Sequence, residues 1–147
     1  MTEVTTSVQI ILPQHCNGYQ RPRLFGGQLM AWIDITGAVA ARRYARRAVT
    51  TACVDSLRFI APAYRNDTVV QEARVVWTGR TSMEVRVDSF VEQLDGTRTM
   101  VNRAYAVFVA IDENDKPVPV PPFVPETEEE KQEYEAAQLR RKQRLGQ

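Results

Sequence analysis

The 147-residue chain is short of the side chains from which many sites are built. It has two cysteines, Cys16 and Cys53, and a single histidine, His15. Two cysteines cannot make a disulfide framework, and one histidine without a Cys/His cluster leaves a zinc centre without ligands. No apolar run approaches the roughly 20 residues that a membrane-spanning helix needs. No apolar leader with a cleavage site precedes the first expected strand, so a reducing cytoplasm is the expected compartment. The formal net charge is only +1, which provides no general attraction to nucleic acid or to an anionic membrane. Neither is expected as a partner. The length suits one domain with a real core, and no internal repeat is evident.

What the chain does have is a long apolar helix with one acid in it. Leu24 to Ala41 opens with Gly26-Gly27 and carries Met30, Ile33, Gly37, Ala40 and, further on, Tyr44 at the spacing of one helical face. Trp32, Ile35 and Val39 make a second apolar face. Asp34 has Met30, Ala31, Gly37 and Ala38 one turn away and Gly27 and Ala41 two turns away, so it stands in a trough of small residues. Burying an unpaired carboxylate costs several kcal/mol, so something must compensate for it. A ligand or a catalytic water is one candidate. An ion pair with Arg42 or Arg43, or exposure of this line of the helix to water, is the other. Arg42, Arg43, Arg46 and Arg47 suit the negative end of the helix dipole.

Around this helix the pattern is that of strands. Val4 to Leu12 is rich in β-branched residues and ends at Pro13. A polar loop, His15 to Arg23, leads to the glycine pair, where unpaired N–H groups at a helix start can receive negative charge. Val49–Ile60, Thr68–Thr78, Met83–Gln93 and Arg98–Ile111 follow as strands, the last two joined by an Asp95-Gly96 hairpin turn. In Met83–Gln93, Met83, Val85 and Val87 alternate with Glu84, Arg86 and Asp88, the pattern of a half-buried strand. One strand, one helix and four strands predict an α+β architecture, a five-stranded antiparallel sheet curled around the helix. The second apolar face then meets the curled sheet or another subunit. Val118–Pro125 is proline-rich and extended, and Thr127 with Glu130 begins a charged helix with a capping box. Its apolar positions are sparse, which predicts a solvated helix with a peripheral packing role. The expected division is residues 1–118 and a tail, 119–147.

The segment Asn17 to Ala41, with Leu24-Phe25-Gly26-Gly27-Gln28-Leu29-Met30 and Trp32-Ile33-Asp34, resembles the hotdog-fold acyl-CoA thioesterases, in particular the small bacterial acyl-CoA hydrolases related to brain acyl-CoA hydrolase. Val54-Asp55-Ser56-Leu57-Arg58-Phe59 and Gly79-Arg80-Thr81-Ser82-Met83 extend the likeness, in the same order, over about residues 8 to 120. The resemblance implies a hotdog fold, hydrolysis of acyl-CoA to CoA and a carboxylic acid in fatty acid metabolism, and no cofactor, CoA being part of the substrate. It also implies dimers assembled into trimers of dimers, with sites shared across the dimer interface. By the same likeness Asp34 matches the catalytic carboxylate, as general base or as nucleophile, and Asn17 the asparagine upstream of the glycines. Arg80, Thr81 and Ser82 match the nucleotide-contacting turn. Arg58 is a second cation for the CoA phosphates, and the Gly27 N–H is an oxyanion donor. Arg21-Pro22-Arg23 makes the loop before the glycines about two residues longer than the family spacing.

Two rival readings differ in class. Hydratases and dehydratases of this fold pair a histidine with the carboxylate, but His15 lies in the loop and not on the helix with Asp34. A non-catalytic acyl-CoA-binding sensor would have little reason to keep an acid in the small-residue trough, and no effector segment is recognisable here.

Overall fold

The computed structural model describes residues 3–55 and 57–146. Strand β1 (Thr5–Ile10) is followed by a 3-10 turn at Pro13–His15 and by a small hairpin of β2 (Cys16–Asn17) and β3 (Arg23–Leu24). The long helix α1 (Gly26–Ala45) comes next, then β4 (Val49–Asp55), β5 (Thr68–Thr78), β6 (Ser82–Glu92), β7 (Arg98–Ala110) and helix α2 (Glu128–Arg144). The main sheet has five strands in the order β1-β5-β6-β7-β4, and every pairing is antiparallel. This is the α+β arrangement expected from the pattern, with the 3-10 turn and the β2–β3 hairpin added where a plain loop was expected.

The inner face of the sheet packs on α1. Leu29, Ile33 and Ala41 of the helix are fully buried against Met83, Val85, Val87, Ala104, Ala106 and Phe108 of the sheet. Gly37 permits the closest approach: a Cβ there would lie 3.1 Å from the Phe108 ring and 3.4 Å from Val87. Each apolar face of α1 is only partly covered, the first burying Ile33 but not Met30, the second Trp32 but not Ile35. Trp32 is buried, but Met30 and Ile35 are 40% and 61% exposed, so this chain leaves a strip of the helix uncovered.

Two expectations are corrected on the outer face. Glu84, Arg86 and Asp88 were expected on the solvated side of a half-buried strand, yet all three are buried. The cause is α2, which lies across this face and sinks Ala137 against Val76 and Trp77. The C-terminal helix is thus solvated only on its outward side; it has the peripheral packing role expected of it, and its packing uses charge: Arg140 donates to Glu84 at 2.8 and 3.3 Å, and Arg144 to Asp55 at 3.0 Å and Glu84 at 3.3 Å. Its capping box forms as expected, Thr127 Oγ1 accepting from the Glu130 N–H at 3.0 Å and Glu130 from the Thr127 N–H at 3.2 Å. The proline-rich segment links sheet and helix: Tyr44 donates to the Pro121 carbonyl at 2.8 Å, and the Phe123 N–H to Thr78 at 2.9 Å.

The strand expected over Val49–Ile60 is also shorter. β4 has a bulge between Thr51 and Cys53 and ends at Asp55, and Ser56 lies outside the described residues. Beyond it the backbone is held by single bonds in place of a ladder, from Asn102 Nδ2 to the Arg58 carbonyl at 2.7 Å and from the Ile60 N–H to Val101 at 2.8 Å.

Candidate active site

Helix α1 starts without a side-chain cap: Phe25 is extended and its carbonyl accepts from Gln28 and Leu29 at 3.1 and 3.2 Å. The Gly27 N–H has no acceptor among the described residues, as the first turn of a helix dictates. It is exposed. A Cβ at Gly27 would come within 3.3 Å of the Phe25 ring, so glycine keeps this opening clear.

Two turns further on, Asp34 lies half-buried on the flank of α1 that faces β4. Its Oδ1 accepts from the Thr51 hydroxyl at 2.6 Å, the length of a strong charge-assisted O–H···O bond. Asp34 Oδ2 makes no hydrogen bond among the described residues. The ion-pair alternative is not realised with Arg43, which turns instead to Glu3 at 3.5 Å and Thr5 at 3.3 Å. Thr51 was missed in the sequence, where a threonine in a β-rich segment carries no signal of its own. A carboxylate with one oxygen fixed by a hydroxyl and one oxygen open is oriented for proton abstraction or for attack.

The other residues expected at the site are dispersed in this chain. Asn17 is exposed in β2, directly opposite Arg23 of β3, and no hydrogen bond joins it to Asp34 among the described residues. The β2–β3 hairpin is tied to the helix entrance by the Phe25 N–H, which donates to the His15 carbonyl at 3.1 Å. Arg80, Thr81 and Ser82 form the turn between β5 and β6. Their carbonyls accept from Val120, Ala110 and Gly79 at 2.9 to 3.0 Å, and their side chains make no hydrogen bond or ion pair among the described residues. Ser82 lines an outer-face pocket of about 470 Å³ with Cys53, Trp77, Arg141 and Arg144, so α2 brings cations to this turn that the sequence did not associate with it. Arg58 is exposed after β4. Arg58 is held by Asn102 and Ser82 pairs with Val109; at about 3.3 Å per residue along β7, these anchor points are on the order of 20 Å apart. One chain does not present both to the same phosphate.

Neither thiol is an activated nucleophile. Burial pushes the Cys16 and Cys53 thiols up, and for Cys53 the Asp55 charge adds to the rise. Among the described residues no group of His, Cys, Asp or Glu could hold a metal ion, and no helix is long and apolar enough to cross a membrane.

Comparison with known proteins agrees with this geometry. An uncharacterised acyl-CoA thioester hydrolase of Bacillus subtilis is 47% identical over 108 residues, 73% of this chain. The chain spans 63% of that relative's length, and 23% and 26% of two mouse thioesterases that it also matches. Among solved structures, an apo-hexameric acyl-CoA thioesterase superposes with a TM-score of 0.89 at 40% identity, over 97% of this chain and 91% of that one. An acyl-CoA hydrolase of Staphylococcus aureus, in complex with butyryl-CoA and CoA, superposes with a TM-score of 0.88 at 33% identity, over 97% and 87%. Structures of that hydrolase also exist with one threonine, one aspartate or one asparagine replaced by alanine. The family model for the thioesterase superfamily matches residues 22–97. With its helix wrapped by a five-stranded antiparallel sheet in the hotdog manner, the chain belongs to the thioesterase superfamily.

Proposed function

We propose that the protein hydrolyses acyl-CoA thioesters to CoA and a carboxylic acid, with Asp34 as the catalytic carboxylate. The observation that carries this reading is the 2.6 Å bond from Thr51 to Asp34 on the flank of the helix whose N-terminus leaves the Gly27 N–H open. Support comes from the replaced aspartate and threonine of the Staphylococcus aureus hydrolase, which are 17 residues apart, the separation of Asp34 and Thr51. Its replaced asparagine precedes the aspartate by 15 residues, against 17 for Asn17 here. That difference is the longer loop.

In this reading the thioester carbonyl sits near the start of α1, where the Gly27 N–H stabilises the oxyanion. Asp34, held by Thr51, takes a proton from water as it attacks the carbonyl carbon. The C–S bond then breaks and the proton passes to the thiolate of CoA. In the nucleophilic variant, Asp34 attacks directly and water hydrolyses the mixed anhydride. Single turnover in ¹⁸O water separates the two, since only the anhydride route can place label in the Asp34 carboxylate. Asn17 orients water or polarises the carbonyl, and Arg58 of one protomer with the Arg80–Ser82 turn of another receives the CoA phosphates. Because Asn17 is not joined to Asp34 within one chain, the site is completed by self-association, in a dimer and then a trimer of dimers. The uncovered Met30 and Ile35 and the open edge of β4 are the surfaces for it. Residues 1–118 form the hydrolase unit and 119–147 its strap, in a cytoplasmic protein without a cofactor.

The test is thiol release from acyl-CoA esters of graded length. Asp34→Ala should lower kcat/KM by about 10²–10⁴-fold, and Thr51→Val by about ten-fold, the worth of one charged hydrogen bond. Binding of acyl-CoA without turnover of any ester would replace hydrolysis with the sensor reading.

A further inference from the structure

The lengthened loop before α1 sets two arginines, Arg21 and Arg23, near Asn17, and a third, Arg65, comes from the segment between β4 and β5. Arg23 pairs across β2–β3 with Asn17 and bridges to Tyr64 on its other side. Directly opposed residues on neighbouring strands carry their side chains on one face, with Cβ atoms about 5 Å apart. Asn17, Arg23 and Tyr64 therefore form a row. Arg21 lies over the Tyr64 ring, its Cζ 3.5 Å from the centroid, and Arg23 approaches the same ring at 5.9 Å. Pro22 between them fixes one backbone angle, and Gly18, at φ +117, makes the turn that returns the chain. Arg65 is close enough to Cys16 for its charge to oppose the rise that burial causes in that thiol.

None of these three cations forms an ion pair among the described residues. The Asp67 carboxylate of the same turn is held by the Tyr64 N–H at 2.9 Å and pairs with none of the three among the described residues. The Arg21 guanidinium, stacked on the ring, loses little further freedom when an anion binds beside it. Three exposed cations without a paired carboxylate among the described residues thus adjoin the residue placed at the thioester.

We infer that Arg23, supported by Arg21 on Tyr64, forms an anion subsite that favours acyl-CoA esters carrying a carboxylate at the far end of a short acyl chain. This rests on the proposed placement of the thioester beside Asn17. Reach decides the identity of the anion. The phosphates of CoA are separated from the thioester by the whole pantetheine arm, whereas the terminal carboxylate of a short dicarboxylic acyl group is a few carbons from it. Arg23, its backbone one cross-strand step from Asn17, has a side chain long enough to span the second distance and far too short for the first.

The experiment measures equilibrium binding of two non-hydrolysable thioethers of CoA, one bearing a 3-carboxypropyl group and one a butyl group, to the full chain. The wild type should bind the carboxylate form about ten-fold more tightly, the worth of one charge-assisted hydrogen bond. Arg23→Gln should bring the ratio of the two constants near one, and Arg23→Lys should restore part of it. Arg21→Gln, which removes the stacked neighbour, should give an intermediate ratio. A wild-type ratio near one, or a loss in Arg23→Gln that is equal for both thioethers, overturns the inference and assigns the cation to the phosphates or the pantetheine carbonyls. Hydrolysis of butyryl-CoA is scored separately. Preference for the carboxylate without any turnover keeps the subsite and removes the hydrolase reading; turnover without the preference does the reverse.

Discussion

The two faces of the sheet are both buried, by different means. The inner face meets α1 mainly through Leu29, Ile33, Met83, Val85, Val87 and Phe108, with one uncharged polar chain, Thr36 to Gln71 at 2.9 Å and Gln71 to Ser89 at 3.0 Å, satisfied within itself. The outer face meets α2 through Glu84, Asp88, Glu133, Arg86, Arg103, Arg140 and Arg144, and every one of them lies in an ion pair. Hydrophobic burial is non-directional and insensitive to charge, so the inner face tolerates salt and pH. A buried ion pair nets little against desolvation but is costly to break, so the outer face chooses one docking position more than it adds stability.

The difference can be tested by breaking each face in turn. Phe108→Ala removes the ring that fills the space over Gly37 and should lower the unfolding free energy by about 3–5 kcal/mol, measured by urea denaturation. Glu84→Gln leaves Arg140 and Arg144 without their shared anion and should cost about 3 kcal/mol. Repeating both in 1 M salt sharpens the contrast: the Glu84→Gln deficit should shrink while that of Phe108→Ala stays, and equal behaviour would mean that the outer face is held by packing alone. Thr127→Ala removes the cap of α2 and should cost about 1 kcal/mol, with amide exchange rising first in Glu130 and its neighbours. The smallest effect concerns pH. Burial first, and then the neighbouring Glu133 carboxylate, push the Tyr105 hydroxyl up to about 12, above the ordinary value of about 10. Its contribution is complete below about pH 10 and is lost as pH rises towards 12, because the unfolded chain releases the proton first. As the ring is partly exposed, this amounts to about 1 kcal/mol at most, and a Tyr105→Phe variant should lack that part of the alkaline decline.

The inner face was legible from the amino acids and the outer face was not. Apolar spacing along Met30 to Tyr44 and alternation along Met83 to Gln93 are properties of local geometry, and they located α1 and β6 to within a residue or two at most ends. The Asp95-Gly96 turn was equally plain: Gly96 takes φ +90, and Gln93 donates to Thr97 at 2.7 Å. Alternation says which residues share a face, but not what covers that face. Glu84, Arg86 and Asp88 therefore looked solvated until α2 was in place, and α2 looked solvated because its contacts are arginines and not a leucine stripe. The candidate site divides in the same way. Asp34 announced itself as an acid on an apolar helix, but Thr51 is an ordinary β-strand residue in the sequence, and only the packing of β4 against α1 makes it Asp34's partner.

By itself the amino-acid sequence determined the order of the five main strands and two helices, the α+β layering, the exposed N–H groups at the glycine pair and the position of the single acid on α1. These follow from backbone preference and side-chain period, which act over a few residues. The tertiary structure decided the Thr51–Asp34 bond, the burial of the charged face beneath α2 and the row of Asn17, Arg23 and Tyr64. Each joins residues from separate elements, and such contacts depend on how the sheet curls and pairs, which no local pattern encodes.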